Sequence, residues 1–300
     1  RNLSGGRRMT SAALKTLIEL LREQRAPVDA SWEQRRADME ERQRELELPD
    51  DVVCAPVEAH GVPCEWIHCG DERERVVLYL HGGGYTLGSI ATHRHLIQRI
   101  ARACGGHALA VEYRLAPEHP HPAAVDDSTA ACRWLFEQGV DPQSVVVAGD
   151  SAGGGLAAAT LLALRDSGGP TAAGGVLLSP WTDLTGSGES LRTKADEDPM
   201  VTAEGLTAMA AAYAPGRCGD PLASPYFGEL GGLPPLLIQV GSAEILLDDS
   251  IRLAERAKAA EVPVDLEVWD EMIHVFQAFP MLDESERAIE NIGSWVRQHT

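Results

Sequence analysis

Short apolar runs alternate along this chain with longer amphipathic stretches. The runs are Val76–Leu80, Ala108–Tyr113, Val145–Ala148, Gly175–Leu178 and Leu236–Val240, with a further strand at Val264–Trp269. Bounded by Gly, Pro and polar residues, they read as buried strands. Between them, Thr92–Cys104, Pro122–Gln138, Ala152–Arg165, Asp248–Ala260 and Glu284–Gln298 read as helices. Strands separated by helices of about ten to fifteen residues predict right-handed crossovers and a mostly parallel sheet, an α/β architecture.

Two helices come before this rhythm, which starts near Val52. Ser11–Arg25 places Leu14, Leu17, Ile18 and Leu21 at helical spacing, whereas Ser31–Glu47 is rich in Arg and Glu and carries Trp32, Met39 and Leu46. The stretch Thr182–Pro235 interrupts the alternation with one helix, Ala203–Ala214, behind a Thr202 cap. The expected organisation is a helical cap segment over residues 1–50 and a catalytic α/β domain over 51–300. Residues 182–235 would add a second cap segment. Met9 is expected as the natural start, with Arg1–Arg8 appended to it.

Composition narrows the partners. The 300 residues carry a formal charge of −19, which disfavours nucleic acid and anionic membrane surfaces. No apolar run is long enough to span a bilayer. The six cysteines form no Cys-x-x-Cys pair, so free thiols in a reducing cytoplasm are expected. No His, Cys and acid cluster has metal-ligand spacing, and no cofactor is expected.

The chemistry concentrates in two glycine-rich turns. Gly149-Asp150-Ser151-Ala152-Gly153 is a Gly-x-Ser-x-Gly elbow between a strand and a helix. The turn is sharp enough that flanking side chains would clash, and it lifts the Ser151 hydroxyl to a helix N-terminus. The bare pattern arises by chance roughly 0.1 times in a chain of this length, so its strand–turn–helix setting decides. His81-Gly82-Gly83-Gly84 follows a strand and matches loops that supply oxyanion-binding amides. Gly82, Gly83 and Ala152 are the expected donors.

The base should follow the nucleophile in the chain. His274 lies past the last strand and before the closing helix, whereas His93, His95, His119 and His121 precede Ser151. The acid should follow a strand between them. Glu244 comes first after Leu236–Val240 and is favoured; Asp248 comes second, and Asp248 and Asp249 also suit helix N-capping. Trp32, Tyr85, Trp181, Leu206, Met209 and Tyr213 are candidate pocket walls, with core packing as the competing role.

Together these segments resemble the bacterial hormone-sensitive-lipase-like esterases of the α/β-hydrolase superfamily. The resemblance rests on His81-Gly82-Gly83-Gly84-Tyr85, on Glu112-Tyr113-Arg114-Leu115-Ala116-Pro117-Glu118-His119-Pro120, and on Gly149-Asp150-Ser151-Ala152-Gly153-Gly154. The family's Gly-x-x-Asp-Pro-Leu-x-Asp segment corresponds to Gly241-Ser242-Ala243-Glu244-Ile245-Leu246-Leu247-Asp248, so Glu244 stands where the family has Asp. The resemblance implies a helical cap, short acyl esters as substrates and frequent homodimers. Lactone or thioester hydrolysis on the same machinery, and a non-catalytic binding module, are the alternatives. Gly153-Gly154-Gly155-Leu156-Ala157-Ala158 also matches a dinucleotide pattern, but its first Gly lies inside a helix rather than in the turn.

Overall fold

A computed structural model describes residues 11–24, 30–43, 47–70 and 75–300. The expectations for Met9, Arg25 and Leu46 fall outside the described residues. Eight strands form one sheet in the order β1-β2-β4-β3-β5-β6-β7-β8. They are β1 (Val52–Ala59), β2 (Val62–Cys69), β3 (Val76–Leu80), β4 (His107–Val111), β5 (Val145–Asp150), β6 (Gly174–Leu178), β7 (Leu236–Gly241) and β8 (Val264–Trp269). From β4 to β8 all neighbours are parallel, while β1, β2 and β4 pair antiparallel.

The helices are α1 (Ala12–Glu23), α2 (Trp32–Gln43), α3 (Ile90–Cys104), α4 (Ala123–Glu137), α5 (Ala152–Asp166), α6 (Ser190–Thr193), α7 (Ala203–Tyr213), α8 (Leu247–Ala259) and α9 (Asp283–His299). Helices cover both faces of the sheet. Ile97 and Ile100 of α3 and Ile292 and Val296 of α9 share a core with Val77, Tyr79 and Val146. On the other face Leu135 of α4, Leu156 and Leu161 of α5 and Leu253 of α8 pack on Leu78, Val147 and Ile238. Strands buried on both faces have no polar side to alternate with, which explains the continuous apolar runs.

Three local features were not anticipated. The β1–β2 hairpin turns at His60 and Gly61, both with positive φ (50° and 82°), the backbone of a tight two-residue hairpin turn. Helix α3 starts at Ile90 because Ser89 and Thr92 form a reciprocal capping box. Asp248 and Asp249 do not cap α8, whose N-cap is Leu246. Their carboxylates instead accept backbone N–H groups of Ser190, Thr182 and Asp183, tying residues 182–190 to α8. Loop amides with no strand partner need such acceptors when buried. Thr202 does cap α7, accepting from Gly205 N at 3.1 Å.

Helix α2 has no buried residue, so little apolar contact holds it. Arg36 does much of the tethering. Its guanidinium donates to the Thr86 and Ala116 carbonyls at 2.8 Å each and pairs with both carboxylate oxygens of Glu118. Among the described residues, no helix is long and apolar enough to cross a membrane.

Candidate active site

Because β5, β6, β7 and β8 run parallel, the turns after them open on one edge of the sheet, where α/β sites form. Ser151 follows β5 with φ 54° and ψ −122°, a strained conformation for a residue with a side chain. The elbow is fixed from three sides. Ser151 N donates to Leu178 O at 2.8 Å, Gly155 N to Ser151 O at 3.1 Å, and Trp181 N to Ser151 O at 2.9 Å. A Cβ on Gly153 would strike the Leu80 and His81 carbonyls, so only glycine admits this approach. The hydroxyl stands partly exposed at the head of α5.

The turns after β7 and β8 are laced together. Ser242 N donates to Trp269 O at 2.9 Å, Ala243 N to Met272 O at 3.0 Å and Glu271 N to Ser242 Oγ at 2.8 Å. This lacing brings Glu244 and His274 into contact, with His274 Nδ1 2.9 Å from Glu244 Oε1. Both are buried, Glu244 completely. The other carboxylate oxygen accepts from Ser179 Oγ at 2.8 Å and Gly241 N at 2.9 Å. A carboxylate so supplied with donors is held in one orientation. Burial disfavours a charge on His274, but the surrounding carboxylates, Glu244 foremost, together outweigh it and raise the imidazole pKa above its ordinary 6.5. The structure shows no direct hydrogen bond between the Ser151 hydroxyl and this imidazole. Asp248 is occupied by Ser190 N at 2.9 Å.

Sequence reasoning missed Ser179 and Asp198. Ser179 sits at the end of β6 with φ 44° and joins both loops, donating to Glu244 and accepting from Val275 N at 3.1 Å. Asp198 accepts from Ile245 N at 3.0 Å, and from Met200 N and Val201 N at 2.9 Å each. The signal for Ser179 was a lone hydroxyl ending an apolar strand at the chemical edge. Asp198 gave no local signal.

The glycine loop requires one correction. Gly82 N already donates to Asp150 Oδ1 at 3.1 Å, so it is not available to an oxyanion. No hydrogen bond engages the amides of Gly83 and Gly84 among the described residues, and Gly83 O is held by Thr86 N and Leu87 N. Ala152 N is the first amide of α5 and has no partner within the helix.

The six expected wall residues divide. Trp181 and Leu206 line a cavity of about 500 Å³, together with Leu184, Leu191, Ala210 and Cys218. Met209 lies instead against Gly84, where its sulfur occupies the space a Cβ would need. Tyr85 and Tyr213 do not line the cavity. Their rings stack in parallel at 3.7 Å, 1% exposed each, because two flat rings gain more from mutual burial than from facing water. Trp32 heads α2, half-buried under the Arg35 guanidinium at 5.3 Å, and is not part of the lining.

Comparison with known proteins bears on the fold and the family. A model of the alpha/beta hydrolase fold family matches residues 77–278. An acetyl-hydrolase of Streptomyces hygroscopicus is 44% identical over 292 residues, 94% of this chain and 97% of that protein. An esterase of Acinetobacter venetianus is 38% identical over 82% of each chain. A crystal structure described as an esterase from the bacterial hormone-sensitive lipase family superposes with a TM-score of 0.94 at 47% identity, covering 97% of this chain and 99% of that one. The chain therefore belongs to the α/β-hydrolase fold family and, within it, to the bacterial hormone-sensitive lipase family.

Proposed function

We propose that this protein hydrolyses short-chain carboxylic esters through an acyl-enzyme, with Ser151 as nucleophile, His274 as general base and Glu244 as the orienting acid. The observation that carries the reading is the buried His274–Glu244 hydrogen bond at the sheet edge where Ser151 is partly exposed. A carboxylate on Nδ1 fixes the tautomer that leaves Nε2 free to accept a proton. His274 takes the Ser151 proton as the hydroxyl oxygen attacks the ester carbonyl. The resulting oxyanion rests on the amides of Gly83, Gly84 and Ala152. His274 then protonates the departing alcohol, and a water activated by the same imidazole cleaves the acyl-enzyme to acid and free Ser151.

Relatives named esterase and acetyl-hydrolase support small acyl groups as substrates. Helices α1 and α2 and the 182–235 segment serve as the cap, and the cavity beside Trp181 takes part of the substrate. A cytoplasmic location and a homodimer belong to the same reading, with six free thiols consistent with a reducing compartment. Hydrolysis of p-nitrophenyl acetate and butyrate tests the proposal. The protein should release nitrophenol and Ser151→Ala should not; release by Ser151→Ala at the wild-type rate overturns the assignment.

A further inference from the structure

A second buried histidine–carboxylate pair lies directly beneath the elbow. Asp150, one residue before Ser151, is 3% exposed. Its Oδ1 accepts from Tyr79 Oη at 2.8 Å and from Gly82 N at 3.1 Å. Its Oδ2 faces His93 Nε2 at 3.4 Å. This one carboxylate thus joins the nucleophile turn to the loop whose next two amides are the oxyanion donors. A Cβ on Gly82 would collide with it, so the approach is close by construction of the backbone.

The partners of His93 define its protonation. Thr92 Oγ1 gives its proton to Ser89 O at 2.8 Å and accepts from Ser89 N at 2.9 Å. Its remaining lone pair faces His93 Nδ1 at 2.7 Å, and Ser89 O stands 3.3 Å from the same nitrogen. Ser89 O can only accept, and the Thr92 hydroxyl accepts once its own proton lies on Ser89 O, so this network places a proton on Nδ1. A neutral ring would then turn a bare Nε2 lone pair toward the Asp150 carboxylate. An imidazolium donates on both sides and meets an acceptor on each.

We propose that His93 is a charged positioning residue: as an imidazolium it balances Asp150 and keeps that carboxylate on the Gly82 amide, which sets the Gly83 and Gly84 amides for the oxyanion. The inference rests on the assignment of Ser151 as nucleophile. Loss of the His93 proton would leave an unbalanced buried carboxylate one residue from Ser151, opposing the oxyanion and loosening the loop. The ionisable groups facing His93 are Asp150 from β5, Glu112 beyond β4 and His81 beyond β3, with Tyr79 and Tyr113 bordering the cluster. Burial opposes the charge on His93, but Asp150, with the Ser89 carbonyl and Glu112, outweighs it and raises the pKa above 6.5. His81 stays neutral, pushed down to about 3 by burial and by the His93 charge, with ring centres 5.4 Å apart. Its Nδ1 donates to Gly82 O at 2.7 Å and holds the next peptide, the one that carries the Gly83 amide.

Charge-balance rescue separates this role from simple packing. The measurement is kcat and KM for p-nitrophenyl butyrate from about pH 6 to about pH 10, for wild type, His93→Gln, Asp150→Asn and the double variant, each checked for folding by circular dichroism. His93→Gln should lower kcat by about tenfold or more with little change in KM, because amides are misplaced rather than substrate lost. Adding Asp150→Asn should restore most of that loss, since the amide still accepts from Gly82 N but carries no charge. Asp150→Asn alone should hold kcat at alkaline pH, where wild type falls, and it carries the test if His93→Gln does not fold. A double variant no better than His93→Gln, or an alkaline fall unchanged in Asp150→Asn, overturns the proposal. Ser151→Ala, measured in parallel, reports on the underlying reading: full activity there would defeat the nucleophile assignment rather than the role of His93.

Discussion

At the scale of single residues, the account turns on which side chains are already committed. His274 has one nitrogen on Glu244, and only the neutral ring can accept the Ser151 proton. Its pKa is raised, so kcat/KM should fall as pH drops through a value above 6.5, and the acid limb should sit higher than for an isolated imidazole. Replacing Glu244 by Gln should cost about a thousandfold or more in kcat by releasing the tautomer, whereas Asp248→Asn should leave turnover near wild type. The reverse ranking, with both variants folded, would transfer the acid to Asp248. The candidates Ser151, His274 and Glu244 were legible in the sequence because motif, chain order and strand position each restrict the choice. The Gly82 donor could not be judged that way. A glycine pattern shows which amides are near a site, but only coordinates show that Asp150 already holds one of them. Tyr85 and Tyr213 failed as wall residues for a similar reason: an aromatic near a site in sequence can face inward, and these two face each other.

At the scale of elements, buried acids take the place of missing strand partners. Asp249 is fully buried, accepts from Thr182 N and Asp183 N, and leaves Oδ1 with no partner. Burial, with nearby Asp183 adding to it, raises its carboxyl from 3.8 to about 7. The folded state thus favours the protonated acid. Its stabilising contribution is complete below about pH 4 and is lost as pH rises through about 7. Asp249→Asn removes this dependence. Its melting temperature, measured against wild type from about pH 5 to about pH 8, should gain on wild type as pH rises; a constant difference would refute the assignment. Helix α2 makes a second case. With no buried residue and with Arg36 bonded to Thr86, Ala116 and Glu118, it leans heavily on one side chain. In Arg36→Ala, limited proteolysis should cut residues 30–43 sooner while the main melting transition moves little. Strands β3 to β7 were legible as apolar runs because both faces are covered, while β1 and β2 were not, because their half-exposed residues and the His60–Gly61 turn give weaker contrast.

For the whole molecule, charge and architecture set what reaches the site. A net charge of −19 should repel anionic esters at low salt. The kcat/KM for an ester with a carboxylate tail should therefore rise with ionic strength, while that of a neutral ester of equal length should stay level. Parallel rises for both would show that salt acts on the protein rather than on encounter. The sheet order itself brings four strand ends to one edge, which is why residues from 151 to 274 can meet there. The central claim is that the partly exposed Ser151 hydroxyl at this edge becomes covalently acylated. Treatment with a p-nitrophenyl phosphonate followed by peptide mass spectrometry tests it most directly. The account predicts one adduct, on Ser151, formed in step with loss of esterase activity; full inactivation with Ser151 unmodified would contradict it.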